Sequence, residues 1–493
     1  MVRAFSTVAP GPAAPRVRTG SSDHPAFDAL DAFVAEIFER LPRADQRRWA
    51  HVYTRGLLTT PGRKTVRRLA ASVSDSATAA QALHQFVNAS PWDWEPVRAR
   101  LADWAVRRSG PRALLLATAV LPKRGDRSCG VHRRFVPQEG RTVNCQVGIG
   151  AFLAAERATV PVDWRLLLPG AWSADPGMRD RARVPEDAAG TQGSAAAQAL
   201  DLVDGVGLPR SEPGAGADPD GVPVVADLVG FVDTAALAAG LVARRRRFVV
   251  AVSGDLVVLP EGAAGVGPAP VSVSVSGTSV RSGASGGPGG SAGRSGVPGA
   301  APVRSGGGAV AVRAVRAVRG GPPVQVGRTG GGGPPARAGG GVRVRDLLAA
   351  HETRLPDGPP AAPVAPVRLP GVPVPLRLTV ERRPRECGGD RFWLTDLVDR
   401  PAREASALAR LHTGATDTME RLADDFGLRA FEGRSYPGWH HHMTLVSAAF
   451  AYGALGRAGT PPTRPARASR GPQPGRPPRR ARTLTTPTRT GCS

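Results

Sequence analysis

The chain has 493 residues and a formal net charge of +24, and its length allows two or three domains with cores of their own. Nineteen arginines lie in two acid-free stretches, residues 270–345 and 456–493, so the rest of the chain carries a net charge of only about +5. A basic total suggests a nucleic-acid partner, but this distribution weakens that inference. The four cysteines include no CxxC pair, which argues against a disulfide framework or a structural zinc site.

The sequence has no charged-then-apolar leader and no run of about 18 apolar residues, so a soluble cytoplasmic protein without a membrane segment is expected. Lysine occurs only at Lys64 and Lys123, whereas Arg, Ala, Gly and Pro are abundant. This bias indicates GC-rich codon usage in a bacterial source rather than selection for guanidinium groups.

Residues 1–25 are rich in Pro, Ala and Ser and are predicted to be disordered. Apolar residues then recur at helical spacing, which predicts a small helical domain over residues 26–108. After its first helix, further helices are predicted at 46–58, 72–87 and 94–107.

The periodicity changes after residue 108. Short apolar runs predict strands at 113–121, 142–153, 159–168, 222–226 and 248–252, with helices at 195–206 and 234–243. Strands that come first and then alternate with helices indicate an α/β sheet of mixed direction, whose first part is residues 109–263.

Residues 264–345 form a Gly/Ser/Pro/Arg tract without periodicity, which is predicted to be a disordered insert because it offers little apolar surface to bury. Residues 346–455 are predicted to complete the α/β domain, and residues 456–493 form a second disordered, basic segment. The elements predicted after the tract are short ones at 343–350, 375–380 and 391–394 and a long helix at 403–426.

Residues 429–452 bring together an acid, arginines, large aromatic residues and three consecutive histidines at the start of a helix. The apolar residues of this helix recur at intervals of four, three and four, as on one buried face: Trp439, Met443, Val446 and Phe450. This pattern predicts a polar, partly cationic surface held on a buried helix. The alternative, which stays open, is a hydrated helix start whose histidines are structural.

Asp227 directly follows the predicted strand 222–226. Open α/β sheets bind ligands at the carboxyl ends of their strands, so this carboxylate is a candidate site residue. Mg²⁺ prefers oxygen ligands of this kind. The alternative is an aspartate that caps the next helix or turn.

Four segments in this order carry a more specific signal: LPKRGDRSCGVHRRFVPQEGRTVNCQVGIGAFLA (121–154), VDWRLLLPGAW (162–172), PVVADLVG (223–230) and DFGLRAFEGRSYPGWHHHMTL (425–445). Together they resemble DDE transposases of bacterial insertion sequences, in the 701-like group related to the number-4 group. The resemblance extends over residues 25–455 without the insert. It implies an RNase H-like α/β fold with a mixed sheet, preceded by a helical domain of the DNA-binding type.

The resemblance also implies a catalytic centre in which three carboxylates hold two Mg²⁺ (or Mn²⁺) ions for DNA strand cleavage and transfer. Asp227 matches the second acid. The first acid is expected at Thr118, and no carboxylate occurs between Asp103 and Asp126. Asp126 lies in a glycine-containing turn beyond the strand and is a poor substitute.

The third acid is expected near Thr416. Asp417 beside it is one candidate, although its spacing to other acids of the helix also fits a solvated face. Glu432 in the FEGRS segment is the other candidate. Contacts with DNA are expected from Lys123, Arg434, Trp439, His440 and His442, with His441 beside them.

Two functions follow from these expectations. The first is an insertion-sequence transposase that cuts and joins double-stranded DNA at terminal inverted repeats and target sites, as a possible homodimer in the nucleoid. The second is a catalytically inactive relative that still binds DNA, which is favoured because Thr118 offers only a neutral hydroxyl. The acid-free tracts fit GC-rich DNA read out of frame in a decayed gene. A third function, that of an arginine-rich protein that coats RNA or DNA, would leave residues 25–260 unexplained.

Overall fold

The computed structural model describes residues 25–136, 140–186, 188, 194–208, 221–261, 341–352, 364–384 and 389–456. The three segments predicted to be disordered, 1–25, 264–345 and 456–493, therefore lie almost wholly outside the described residues. Of the helices in the described part of the chain, none is both long and apolar enough to cross a membrane.

The amino-terminal region is helical, as predicted. Its helices are α1 (Pro25–Ile37), α2 (Ala44–Thr59), α3 (Val66–Val73), α4 (Ala79–Asn88) and α5 (Glu95–Ser109). The helix predicted at 72–87 is in fact the end of α3 and most of α4, because the chain is extended at Ser74. Gly110, at φ 57°, ends α5 in the left-handed conformation that favours glycine.

Two consecutive series of elements follow. The first comprises β1 (Ala113–Pro122), β2 (His132–Val136), β3 (Arg141–Ala154), β4 (Thr159–Leu166), α6 (Gly170–Ala174), α7 (Pro176–Ala182), α8 (Ala195–Gly205), β5 (Val224–Asp227), α9 (Thr234–Ala243), β6 (Phe248–Val252) and β7 (Val257–Pro260). The second comprises β8 (Val342–Arg343), α10 (Val344–Glu352), β9 (Val364–Arg368), β10 (Leu376–Glu381), β11 (Arg391–Thr395), α11 (Ala402–Arg410), α12 (His412–Asp425), α13 (Tyr436–Ala451) and a π-helical turn (Tyr452–Gly456).

The strands form one mixed sheet in the order β2-β3-β1-β5-β6-β11-β10-β9-β7-β8, with β4 paired to β3. β1, β5 and β6 are parallel, and β3 is antiparallel to both β1 and β4. This arrangement confirms the predicted mixed α/β fold and is consistent with an RNase H-like DDE fold.

Two helices from the end of the described chain pack on the central strands. α12 contacts β1, β3, β4 and β5, while α13 lies against β4 on one side and α2, α4 and α5 on the other. Every residue of α13 except Pro437 is therefore buried, including the predicted apolar face of Trp439, Met443, Val446 and Phe450. The amino-terminal helices and the sheet consequently share one hydrophobic core.

Gly150 on β3 marks the tightest packing in the centre of the sheet. A Cβ atom there would lie 2.7 Å from the ring of Trp164 and 2.8 Å from the ring of Phe152, and both rings are fully buried. We expect Gly150→Ala to lower the free energy of unfolding by about 1–3 kcal/mol, the usual cost of overpacking. Urea denaturation measures this loss. Gly170→Ala is the control, because its new Cβ meets no atom within 4 Å, and equal losses in both variants would contradict the prediction.

Candidate functional site

Asp227 is the last residue of β5, between β1 and β6, so it lies at the carboxyl edge of the parallel strands, as predicted. The chain then turns through Gly230, at φ 81°, and enters α9. The cap of α9 is Asp233, whose carboxylate accepts hydrogen bonds from the backbone N–H groups of Ala235 and Ala236. Asp227 is therefore not the helix cap that the sequence left open as an alternative.

The residue beside Asp227 on the next strand is Ala117. The β1–β5 register pairs Ala117 with Asp227, and the β1–β3 register pairs Ala117 with Gly150. Partners in register point to the same face of a sheet and successive residues to opposite faces. Thr118, where the first acid was expected, therefore points to the face of the sheet opposite to Asp227. Ala117 offers no metal ligand either.

Asp227 has a cationic partner within the protein. The Oδ2 atom of Asp227 lies 2.6 Å from Nη1 of Arg391, the first residue of β11, and the carboxylate is only 19 % exposed. Glu381 on β10 pairs directly with Arg391 in the strand register. The guanidinium of Arg391 thus occupies the position in front of the carboxylate that a bound cation would need.

A buried histidine completes these surroundings. The ring of His412, at the start of α12, lies 5.1 Å from the ring of Trp393, whose Nε1 donates to Glu381 at 3.2 Å. Burial lowers the pKa of His412, and the nearby Arg391 lowers it further, while a hydrogen bond to the Ala409 carbonyl and the charges of Asp227 and Glu381 oppose the shift. The net shift favours the neutral imidazole.

Asp417 does not meet Asp227 in this structure. The face of α12 that packs on the sheet consists of His412, Ala415, Thr418 and Leu422. Asp417 is exposed. It follows Ala415 by two residues, which is a rotation of about 200° around the helix axis, so it points to the opposite side of α12. It belongs with Glu420 and Asp424 to the solvated face that the sequence offered as the alternative, and a small rotation of the helix would not correct its direction.

Glu432 is also directed to solvent. Its side chain is 79 % exposed, and its nearest cationic partner is Arg63 at 3.8 Å. The FEGRS segment that contains it packs on the turn after β1, where Lys123 donates to the Phe431 carbonyl and the Cys129 N–H donates to the Arg434 carbonyl at 3.0 Å. The structure thus joins two of the sequence segments without bringing Glu432 to Asp227.

The three histidines and Trp439 are core residues. All four are at most 2 % exposed, so the predicted contacts of Trp439, His440 and His442 with DNA are not available in this structure. His440 is stacked 4.6 Å from Trp94, and His442 lies 3.2 Å from the Tyr53 hydroxyl and 3.1 Å from the Gly427 carbonyl. The cause is the position of α13, which has neighbours on every side.

Burial also removes the charge of these histidines. It lowers the pKa of His441 and of His442 to about 4 and that of His440 well below its usual range. His441 has a carbonyl oxygen 2.8 Å from each ring nitrogen, which would favour the protonated ring, but the loss of hydration outweighs these two bonds.

Two predicted DNA contacts remain. Arg434 is exposed to solvent. Lys123 is partly buried over the Phe431 ring, and burial lowers its pKa to about 8, with Glu432 opposing the shift. Of the five side chains proposed from the sequence, Arg434 is thus the one fully available to a large anionic partner.

The residues present do not fit a two-metal centre. Within the described ranges, no group of three or more His, Cys, Asp or Glu side chains is placed to hold a metal ion. Asp227 is already neutralised by Arg391, and its neighbour in register is an alanine. A divalent ion at this carboxylate would face the guanidinium charge of Arg391, and the nearby acid Glu381 is itself paired with Arg391 in the strand register.

The fold and the position of Asp227 define the class as an α/β protein with an RNase H-like sheet. Residues 36–279 match the family model described as DDE superfamily endonuclease, which supports a DDE-type transposase or endonuclease. Nucleases of this superfamily use divalent metals and act on DNA. No curated protein matches the chain.

Proposed function

We propose that the chain is a degenerate insertion-sequence transposase of the 701-like group, which binds double-stranded DNA but has lost metal-dependent strand cleavage. The observation that carries this proposal is the Arg391–Asp227 ion pair beside Ala117. The DNA partners would be the terminal inverted repeats of the element and its target DNA, and the ancestral cofactor would be Mg²⁺ or Mn²⁺.

The loss of cleavage follows from charge. Two divalent ions need several carboxylates to balance their four positive charges and to hold them beside the scissile phosphate. Here Arg391 is paired with Asp227, and the other acid beside it, Glu381, pairs with Arg391 in the strand register and accepts a hydrogen bond from Trp393. The candidates for further acids, Asp417 and Glu432, both face solvent.

DNA binding rests on different features. The two arginine-rich stretches, residues 270–345 and 456–493, carry most of the net charge of +24 and offer contacts to phosphate. Such contacts release counterions, so affinity should fall steeply with added salt. Within the described residues, exposed arginines occur on the turn after β1 and on the FEGRS segment, for example Arg124, Arg127 and Arg434.

An active transposase is the second candidate, and the family match over residues 36–279 is the observation that favours it. This function would require Arg391 to leave Asp227 and a carboxylate such as Asp417 or Glu432 to reach it. A homodimer on paired DNA ends would accompany this activity.

A nicking assay tests the proposal. The full chain is incubated with end-labelled duplex DNA from the regions flanking its gene, in Mg²⁺ and separately in Mn²⁺, beside the Asp227→Asn variant. We expect both proteins to bind the duplex, with affinity falling about tenfold or more from 50 to 200 mM salt, and neither to cut it above background.

The control is chosen to separate the two functions. Cleavage by the wild-type chain that Asp227→Asn abolishes would establish an active enzyme and overturn the proposed loss. Absence of DNA binding at low salt would overturn the DNA-binding part instead.

A further inference from the structure

The β2–β3 hairpin extends past the carboxyl edge of the central strands. β1 ends at Pro122, which pairs with Cys145 of β3. The preceding residues of β3, 141–144, pair only with β2 in the strand registers. The outer part of the hairpin thus stands beyond the end of β1, on the side of the sheet where the loop after Asp227 lies.

One face of this hairpin is anchored to the rest of the protein. Val136, Val143 and Cys145 form a small buried cluster against which Val120 and Phe231 pack. Arg134 lies 4.1 Å from the Phe231 ring and donates to the Gly230 carbonyl in the loop that follows Asp227. The hairpin is therefore held in a fixed position beside the candidate site.

The opposite face carries an exposed aromatic ring. Phe135 is 58 % exposed, the largest exposed fraction among the big apolar residues that the structure describes. Phe135 pairs with Thr142, and Arg133 pairs with Asn144. Asn144 and Gly150 point to the same face of β3. Gly150 pairs with Ala117, and Ala117 pairs with Asp227. The Phe135 ring therefore lies on the face of the sheet to which Asp227 points.

Exposed arginines lie on the hairpin and on the segments that contact it. Asn144 donates to the carbonyls of Lys123 and Gly125, which places the turn with Arg124 and Arg127 against the hairpin. Cys129 in the same turn is hydrogen-bonded to the Arg434 carbonyl. We define the hairpin surface as five exposed residues: Arg124, Arg127, Arg133, Phe135 and Arg434. The acids within these segments of the described chain are Asp126 and Glu432, so the surface is net positive.

We propose that the hairpin surface binds unpaired nucleotides of DNA, with Phe135 stacked on a base and the arginines at the phosphates. The proposal rests on the DNA binding proposed above and adds the form of DNA that is recognised. An exposed aromatic ring among arginines fits a single strand, because an unpaired base presents a π-face to the ring and the adjacent phosphates meet the guanidinium groups. In an intact duplex the base faces are covered by stacking.

The edge of β2 offers a competing use. β2 is the last strand on its side of the described sheet, so its free backbone groups could also pair with a strand from another copy of the chain. The arginines disfavour a second, equally basic copy, because like charges would meet at the interface.

Fluorescence anisotropy tests the proposal. The full chain is titrated onto a labelled 20-nucleotide oligothymidine and onto a labelled duplex of about the same length. We expect Phe135→Ala to weaken binding of the single strand about tenfold, as expected for loss of one base–aromatic stack, and to change duplex binding less than about twofold. Phe135→Trp should restore the affinity for the single strand, whereas Phe135→Leu should not.

Val257→Ala is the matched control, because Val257 is an apolar residue with a similar exposure of 50 % on β7 and lies outside the hairpin surface. Unchanged binding of the single strand by Phe135→Ala, or full affinity in Phe135→Leu, would overturn the stacking role while leaving duplex binding intact. Absence of binding to both DNAs would instead overturn the proposed function. A change in oligomeric state of Phe135→Ala on gel filtration would assign the hairpin to contacts between copies and overturn the proposal.

Discussion

The Arg98→Leu variant is expected to unfold at a much lower urea concentration than the wild-type chain, with a loss of about 3–5 kcal/mol in the free energy of unfolding. Arg98 on α5 is only 2 % exposed. Its guanidinium donates to the side chains of Asp163 and Thr444 and to the carbonyls of Trp164 and His440, at distances of 2.7–2.9 Å. Leucine would fill the space but remove four hydrogen bonds of the guanidinium, including its charge-paired bond to the buried carboxylate of Asp163.

The position of Arg98 explains why the effect should be global. One side chain joins α5, β4 and α13, so its removal weakens the contact between the helical region and the sheet. Burial itself lowers the pKa of Arg98, and the charge of Asp163 opposes this shift, so the ion pair favours the charged guanidinium. Arg165 also contacts Asp163 at 3.2 Å and would recover part of the loss.

Arg100→Leu on the same helix is the control for this measurement. Arg100 is 39 % exposed and pairs with Glu39 at 3.6 Å, so its loss should cost less than about 1 kcal/mol. Urea denaturation followed by circular dichroism gives both values. Equal midpoints for the two variants would show that the buried network contributes nothing specific.

The second large effect is a loss of stability in mild acid. The pKa of His441 and of His442 is lowered to about 4 in the folded chain, with burial as the main cause, whereas an unfolded histidine titrates near 6.5. Below pH 6.5 these two histidines therefore bind protons in the unfolded chain, whereas in the folded chain they stay neutral until the pH approaches 4. The contribution of these neutral histidines to the free energy of unfolding is fully present above pH 6.5 and is lost as the pH falls toward 4. The loss is roughly 2 kcal/mol per histidine at pH 5.

Urea denaturation at pH 7 and at pH 5 measures this loss. The His442→Gln variant should show a smaller difference between the two pH values, because glutamine keeps a polar group near the Gly427 carbonyl and does not titrate. His84→Gln is the control, since His84 is exposed on α4, and its midpoints should match those of the wild-type chain at both pH values. A wild-type midpoint that is the same at pH 7 and pH 5 would refute the assignment of neutral, buried rings.

Much of the fold follows from local patterns in the sequence. The strand Phe248–Val252 and the helix Thr234–Ala243 have the bounds that their apolar spacing predicts. Elements with weaker patterns were missed: β2 has the polar sequence HRRFV at the end of the sheet, and its existence depends on pairing with β3. The helix predicted at 403–426 is divided at Leu411 into α11 and α12, which apolar spacing alone does not reveal.

The candidate site was predictable only in part, because its neighbours are set by long-range pairing. The strand pattern in the sequence places Asp227 at the carboxyl end of β5. The pairing of β11 with β6 brings Arg391 to it. Which of Ala117 and Thr118 points to the face of Asp227 depends on the pairing of β1 with β5. A shift of one residue in this pairing would exchange them, and no local pattern determines it. The histidines looked like a polar surface because their type suggests hydration, and the packing of α13 on all sides decided otherwise.

The pairing of β6 with β11 has a consequence for synthesis of the chain. Val252 ends β6 and Arg391 begins β11, so 139 positions separate two strands that are neighbours in the sheet. At 5–20 residues per second, a ribosome needs roughly 7–28 s to make this stretch. During that interval the backbone groups of β6 that pair with β11 have no partner, and the nascent amino-terminal half should depend on chaperones until β11 emerges.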